Sequence, residues 1–255
     1  MQGTLFTSPV GRLIHHLVSN YSYAKQQGIC TLNKIFAAVL AVFGVSGVSA
    51  QETAPQLIDP ATILFSVPTI SNDPPPTEHL NEAPSASEFS LHEDDWSQLE
   101  FFPKSKLTEV KKILSEYKTF EENNREMYGW RNIYTRKIER TPVVSGATAA
   151  SELSAMLGAP LEPAPVLYSS SAITGRVSSG FSIPLGGNIT LYGYSTQNGI
   201  PVLGASVGEN PDDQKLIQAF LALNKKYGLL LIDWRQQLLL TGQDADGSLS
   251  AWRPQ

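Results

Sequence analysis

Gly204-Ala205-Ser206-Val207-Gly208 has the G-x-S-x-G spacing of a nucleophilic serine. In hydrolases that use it, the glycines let a strand turn sharply into a helix, which exposes the hydroxyl and aims backbone N–H groups at an oxyanion. A strand pattern precedes Ser206 and a helix pattern follows it, so the order of elements is met. The catalytic partners are not. A serine needs a base, and past residue 50 the only histidines are His79 and His92, both upstream of Ser206. Hydrolases with this elbow place the histidine downstream. Glu209-Asn210-Pro211 also separates the motif from the helix that should begin at once. A glycine-rich strand end accounts for the pentapeptide, and a serine hydrolase using Ser206 stands as the alternative to a binding role.

The other chemical motifs are weaker. Ser115-Glu116-Tyr117-Lys118 has S-x-x-K spacing, but no S-D-N or K-T-G companion accompanies it. Asp244-Ala245-Asp246-Gly247 resembles part of a calcium loop. Aligned on its glycine, that loop would start at Gly242 and end at Arg253, and neither supplies the required ligand. Gly186-Gly187-Asn188 lacks the Lys-Ser/Thr ending of a phosphate loop and reads as a tight turn. Asn188-Ile189-Thr190 is a glycosylation sequon, relevant only in a eukaryotic secretory pathway. His92-Glu93-Asp94-Asp95 is the one local cluster of metal-ligand types and reads as a solvated strand start. No metal and no cofactor is expected.

The strongest local pattern is cationic and aromatic. Arg125, Arg131, Arg136, Lys137 and Arg140 crowd into one short stretch, interleaved with Trp130 and Tyr134. If residues 130–140 form a strand, Trp130, Tyr134, Arg136 and Arg140 share a face. Arginine with tryptophan and tyrosine is the composition of interface hot spots, and guanidinium groups pair bidentately with carboxylates. Trp130, Arg131, Tyr134, Arg136 and Arg140 are therefore the candidate binding residues. The plainer explanation is a solvent-facing strand whose charges prevent edge pairing.

Helices and strands that would position these groups follow from periodicity. Residues 95–101 alternate apolar and polar side chains as a half-buried strand does. Pro103 opens a helix to about Asn124, with Leu107, Val110, Ile113, Leu114, Tyr117 and Phe120 on one face. Its lysines come first and Glu121-Glu122 last, opposite to its dipole, so packing must hold it. A short helix spans Ala149 to Leu157 between Thr148 and Gly158. Val166–Tyr168 is a brief strand, and the Ser/Gly-rich residues 169–188 read as loops. Ile189–Thr196 and Ile200–Ser206 form a hairpin at Asn198-Gly199, with Pro201 directing the second arm to an edge or a bulge. Asn210 caps a helix from Pro211 to Tyr227, which Gly228 stops. Leu229–Ile232, Gln237–Leu240 and Leu249–Trp252 complete the strands, the last two linked by an Asp246-Gly247 turn. Three helices among hairpins define a single-domain α+β fold with a mainly antiparallel sheet.

Composition sets the compartment expected. Lys34 precedes an apolar run from Ile35 to Val48, and Val48-Ser49-Ala50 has the small residues a signal peptidase requires. The run is shorter than the about 20 residues a membrane span needs. Residues 32–50 thus read as a signal peptide within a leader of residues 1–50, with translation starting at Leu32. Residues 51–91, interrupted by Pro55, Pro60, Pro68, Pro74-Pro75-Pro76 and Pro84, read as a flexible tether, with Ile63-Leu64-Phe65-Ser66-Val67 as its one sticking point. The globular domain is expected over residues 92–255. The leader holds three of the 19 Lys and Arg residues and none of the 24 Asp and Glu, leaving a formal charge of −8 for the remainder. That excess disfavours nucleic acid as a partner. The sole cysteine, Cys30, falls in the leader, so the exported chain has neither disulfide nor thiol nucleophile. Together these features point to a periplasmic or secreted, non-enzymatic binding protein without stable membrane insertion. Its expected partner is a protein, as for immunity or secretion-system accessory factors.

Overall fold

Leu229-Leu230-Leu231-Ile232 is buried on both faces of a sheet, and the rest of the chain is arranged to cover those faces. The computed structural model describes residues 64–170 and 172–255. The leader and the tether up to residue 63 lie outside the described residues.

The main sheet runs in the order β17 (Leu249–Trp252), β16 (Leu238–Gln243), β15 (Leu229–Asp233), β4 (Leu99–Pro103), β14 (Gly199–Val207), β13 (Ile189–Thr196), β12 (Gly180–Gly186) and β9 (Glu162–Pro163). A short piece, β8 (Val144–Ser145), pairs with the start of β14. All these pairings are antiparallel. Three α-helices stand among the described residues: α1 (Leu107–Asn124), α2 (Ala149–Leu157) and α3 (Asp213–Tyr227). The fold is a single-domain α+β fold with a mainly antiparallel sheet, as the hairpin and helix patterns imply.

Strand alternation sorts side chains between layers. Leu99, Phe101, Leu229, Leu231, Leu238 and Leu240 share a core with Leu153 of α2 and Leu216, Phe220 and Leu223 of α3. Phe102, Leu230, Ile232, Trp234 and Leu239 point the other way, onto Val110, Ile113 and Leu114 of α1. Beyond α1, that second face is covered by Leu91, Trp96, Leu167 and Val177 packed on Tyr192 and Val202. These come largely from a small sheet ordered β2 (Thr77–Glu78), β11 (Ile173–Val177), β10 (Val166–Tyr168) and β3 (Ser90–His92).

Several local expectations are met and several corrected. Helix α2 ends at Gly158, whose φ of 63° supplies the left-handed stop, and α3 ends at Gly228 in the same way. Pro201 lies where β14 carries an extra residue against β13, a bulge that tolerates its missing N–H. The cap of α3 is Asp212, which accepts from the Gln214 N–H at 3.1 Å, so the helix starts later than Asn210 indicated. Residues 173–177 and 180–186 are strands, not loops: Val177, Phe181 and Ile183 alternate with small or polar residues and are buried. Residues 95–101 do not form one half-buried strand. A 3₁₀ turn occupies Glu93–Asp95, and β4 is buried on both faces.

The tether is corrected most. From residue 64 onward it is woven into the domain. Val67 and Thr69 are buried, and β1 (Thr69–Ser71) pairs in parallel with β7 (Tyr134–Arg136). Farther along, β2 and β3 join the small sheet. Prolines fall between these pieces and leave their ladder hydrogen bonds intact. Within the apolar patch, Phe65 donates its N–H to the Trp130 carbonyl at 2.8 Å and accepts from Trp130 N–H at 3.1 Å, one of several attachments and not the only one.

One glycine fixes how the layers meet. At Gly204 a Cβ would come within 2.6 Å of the Tyr192 ring. That ring crosses the bare backbone so that its hydroxyl accepts from Ser97 N–H at 3.1 Å. Gly204→Ala should therefore lower stability by about 1–3 kcal/mol through overpacking. Urea denaturation checks this, and an unchanged midpoint would show that Tyr192 can move freely.

Candidate functional site

The residues expected to form one binding face divide between the interior and the surface. Arg136 closes β7 and is only 2 % exposed. Its Nη1 donates to Thr69 Oγ1 at 3.0 Å, its Nη2 to the Ser97 carbonyl at 2.9 Å, and its guanidinium lies 4.9 Å from the Trp234 ring. Burial holds its pKa down at about 10, with Glu100 partly opposing. Arg140 is mostly buried as well. Its Nη1 donates to Glu100 Oε2 at 2.8 Å and its Nη2 to Ser71 Oγ at 3.0 Å, with Asp73 3.7 Å from Nε. Neither side chain lies on an open strand face. Both tie the segment carrying β1 to the centre of the main sheet.

Glu100 is the counter-charge at that centre. It projects from β4 to the α1 side, accepting from Trp234 Nε1 at 2.7 Å through one oxygen and from Arg140 through the other. Gln98, also buried, donates to the Thr69 and Asp94 carbonyls, both at 2.8 Å. A buried cation costs several kcal/mol to desolvate and requires partners of this kind.

Tyr134 occupies an intermediate position. Its ring packs on Tyr117 and Phe120 of α1, and its hydroxyl donates to Glu116 at 3.3 Å. Desolvation, then Glu116, raises its pKa. Trp130 and Arg131 do not continue β7. Residues Arg125–Glu126 (β5) and Gly129–Trp130 (β6) form their own hairpin at the end of α1. There Trp130 lies 5.8 Å from the Arg125 guanidinium, while Arg131 pairs with Glu126 and Arg125 with Glu121. Residues 130–140 are thus not one strand, and the shared face of Trp130, Tyr134, Arg136 and Arg140 is not formed.

What the hairpin presents is its turn. Met127 is 84 % and Tyr128 86 % exposed, and Phe65, on the segment paired to Trp130, is 42 % exposed. The junction depends on Gly129, because a Cβ there would stand 2.5 Å from the Phe65 carbonyl oxygen. Sequence reading passed over Met127 and Tyr128. Their available signal was a large apolar pair just before a glycine at a helix end, together with the apolar patch at Phe65.

Ser206 sits inside the ladder. Strand β14 continues to Val207 with Thr190 opposite Ser206, and α3 begins only at Asp213. The sharp strand-to-helix turn that a nucleophile elbow needs is not made there. His92 uses Nδ1 to accept from Asp94 N–H at 3.1 Å. Ser115 donates to the Lys111 carbonyl within α1, and Lys118 pairs with Glu122. Asp246 accepts from the Ser248 N–H and hydroxyl within its turn. Among the described residues, no group of three or more His, Cys, Asp or Glu gathers as metal ligands would. No helix among them is long and apolar enough to cross a membrane. Compared with known proteins, the chain matches no family model, no curated protein and no solved structure.

Two titratable groups give direct tests. Glu100→Gln leaves Arg140 buried without its counter-charge and should cost about 3–5 kcal/mol, whereas Glu100→Met combined with Arg140→Met should recover most of that loss. Denaturant midpoints of both variants check this, and equal losses would place the cost in packing. Asp233, at the end of β15, is pushed up to about 6 by burial, against the Gln236 N–H and the charges of Arg235 and Arg253. Its folded pKa exceeds the unfolded one, so its contribution is full below about pH 4 and is lost as pH rises through about 6. Asp233→Asn should be more stable than the parent by ~2–3 kcal/mol at pH 8 and equal to it below pH 4. Parallel stability–pH curves for the two proteins would refute the raised pKa.

Proposed function

We propose that the chain is an exported, non-enzymatic binding protein that engages a protein partner through the β5–β6 hairpin and the segment paired to it. The reading rests on one observation: Met127 and Tyr128 stand almost wholly exposed at a turn flanked by Phe65, Trp130 and Arg131. Large side chains held out in solvent contribute little to the fold and supply contact area for a partner. Trp130 and Arg131 remain in the binding surface, whereas Tyr134, Arg136 and Arg140 position it from behind. The acidic balance and the leader fit a periplasmic or secreted role of the immunity or secretion-accessory kind. No observation favours the alternative, a hydrolase using Ser206.

Met127→Ala combined with Tyr128→Ala in the full chain should leave the denaturation midpoint within about 0.5 kcal/mol of the parent, since both positions are exposed. The same variant should lose the partner that the parent retains from a periplasmic extract. Binding is then remeasured with that partner purified, and equal affinity for parent and variant would overturn the assignment of the surface.

A further inference from the structure

Arg136 is a fully buried cation with no carboxylate of the described residues within ion-pairing distance, and both oxygens of nearby Glu100 are engaged by Arg140 and Trp234. Arg136 and Arg140 face one buried carboxylate, Glu100, and the second acid, Asp73, is half-exposed and reaches only Arg140, so the buried members alone carry an excess positive charge. Among the described residues, several polar atoms of Arg136 and of the 96–98 segment that it bonds are also buried without a protein partner: Arg136 Nε, Ser97 Oγ, Trp96 Nε1 and Gln98 Oε1. Three of the four can donate, and native interiors seldom leave such donors unpaired.

Their placement is not scattered. In a guanidinium, Nε–H and Nη2 lie along one edge of the planar fork. Arg136 Nη2 donates to the Ser97 carbonyl at 2.9 Å, which brings Ser97 against the same guanidinium that carries the unpaired Nε–H. Ser97 is fully buried, and its φ of 57° is a left-handed backbone that a serine rarely adopts. Its N–H is tied to Tyr192 Oη at 3.1 Å, which fixes the residue while leaving its hydroxyl unpaired. Gln98 directs its amide N–H groups to the Thr69 and Asp94 carbonyls, so its Oε1 is the acceptor of the group and takes no part in holding an anion.

We propose that this edge of Arg136, with the Ser97 hydroxyl, binds a small monovalent anion such as chloride inside the domain. The anion accepts from Arg136 Nε–H and Ser97 Oγ–H and neutralises the second buried arginine. Burial limits the site to small, weakly hydrated ions and excludes bulky ones such as gluconate.

Thermal unfolding of the full chain at constant ionic strength, with chloride replacing gluconate, tests this. The midpoint should rise and saturate as chloride increases, bromide should substitute, and sulfate should not. Arg136→Lys keeps the charge but lacks the Nε edge and should abolish the halide dependence. Ser97→Gly accepts the left-handed backbone without the hydroxyl and should weaken apparent halide affinity about tenfold, the loss of one charge-assisted hydrogen bond. Crystals grown in bromide should show an anomalous peak beside Arg136 Nε. Absence of halide dependence in the parent, a non-saturating drift, equal dependence in Arg136→Lys, or water in place of bromide would each overturn the site.

Discussion

The carboxylate of Glu100 holds together parts of the chain that share little else. It stands on the central strand β4, and its two oxygens take one proton donor from Trp234, after β15, and one from Arg140, after β7. A charge in that position is costly unless both oxygens are satisfied, so the carboxylate fixes where Trp234 and Arg140 must lie. Arg140 in turn grips Ser71, and Arg136 beside it grips Thr69. Those contacts pin β1, which has few apolar side chains of its own to bury. The same segment carries Phe65 to its bridge with Trp130 and so supports the exposed hairpin. A buried ion pair thus governs the geometry of a surface feature at the end of α1.

The sheet face covered by α2 and α3 needs no such device. Phe220, Leu223, Leu153 and their sheet partners are nonpolar throughout, and burial of each contributes roughly 1.5–3 kcal/mol. Polar groups concentrate on the opposite face, between α1 and the small sheet, where Thr69, Ser97, Gln98, Glu100 and Arg136 are all buried. A buried ion pair of this kind adds little stability over a well-packed nonpolar core. In β1 and β7 interior polarity substitutes for the alternating apolar side chains that fix register in the main sheet.

Elements whose signals lie within a few residues were legible in the sequence. Gly158, Gly228, the Asn198-Gly199 turn and the Pro201 bulge each follow from the conformational limits of one or two residues. Three helices and an antiparallel sheet followed from periodicity together with cap, stop and turn residues. Strand β12 was obscured because Gly180, Ser182 and Gly186 resemble a loop, although Phe181 and Ile183 preserve the strand alternation. The arginines misled for a different reason. Arginine is almost never buried unless paired, so a cluster of them reads as surface. The partner that buries Arg140 is forty residues upstream, and Thr69 is farther still from Arg136. Charge pairing at such separation leaves no local trace. Of the candidate site, Trp130 and Arg131 were found from composition, while Met127 and Tyr128 were not, because an apolar pair at a helix end is ordinarily read as core.

Exposure at the hairpin also sets what any partner must do. Burying Met127 and Tyr128 completely would yield roughly 3–6 kcal/mol if each contributed as a buried side chain does. Association itself costs an estimated 4–15 kcal/mol in lost freedom, so two side chains cannot hold a complex together. The contact must extend to Phe65 and Trp130, which are only partly covered, and to Arg125 and Arg131 around them. Those arginines already pair with Glu121 and Glu126, so the surface is locally neutral and offers no strong long-range attraction to acidic groups. Recognition would then rest on shape and apolar contact at the tip, with the hairpin held in one orientation by its ladder to Phe65. Because the backbone bonds between Phe65 and Trp130 already fix the base of the hairpin, the ordering cost of binding would fall mainly on the Met127 and Tyr128 side chains.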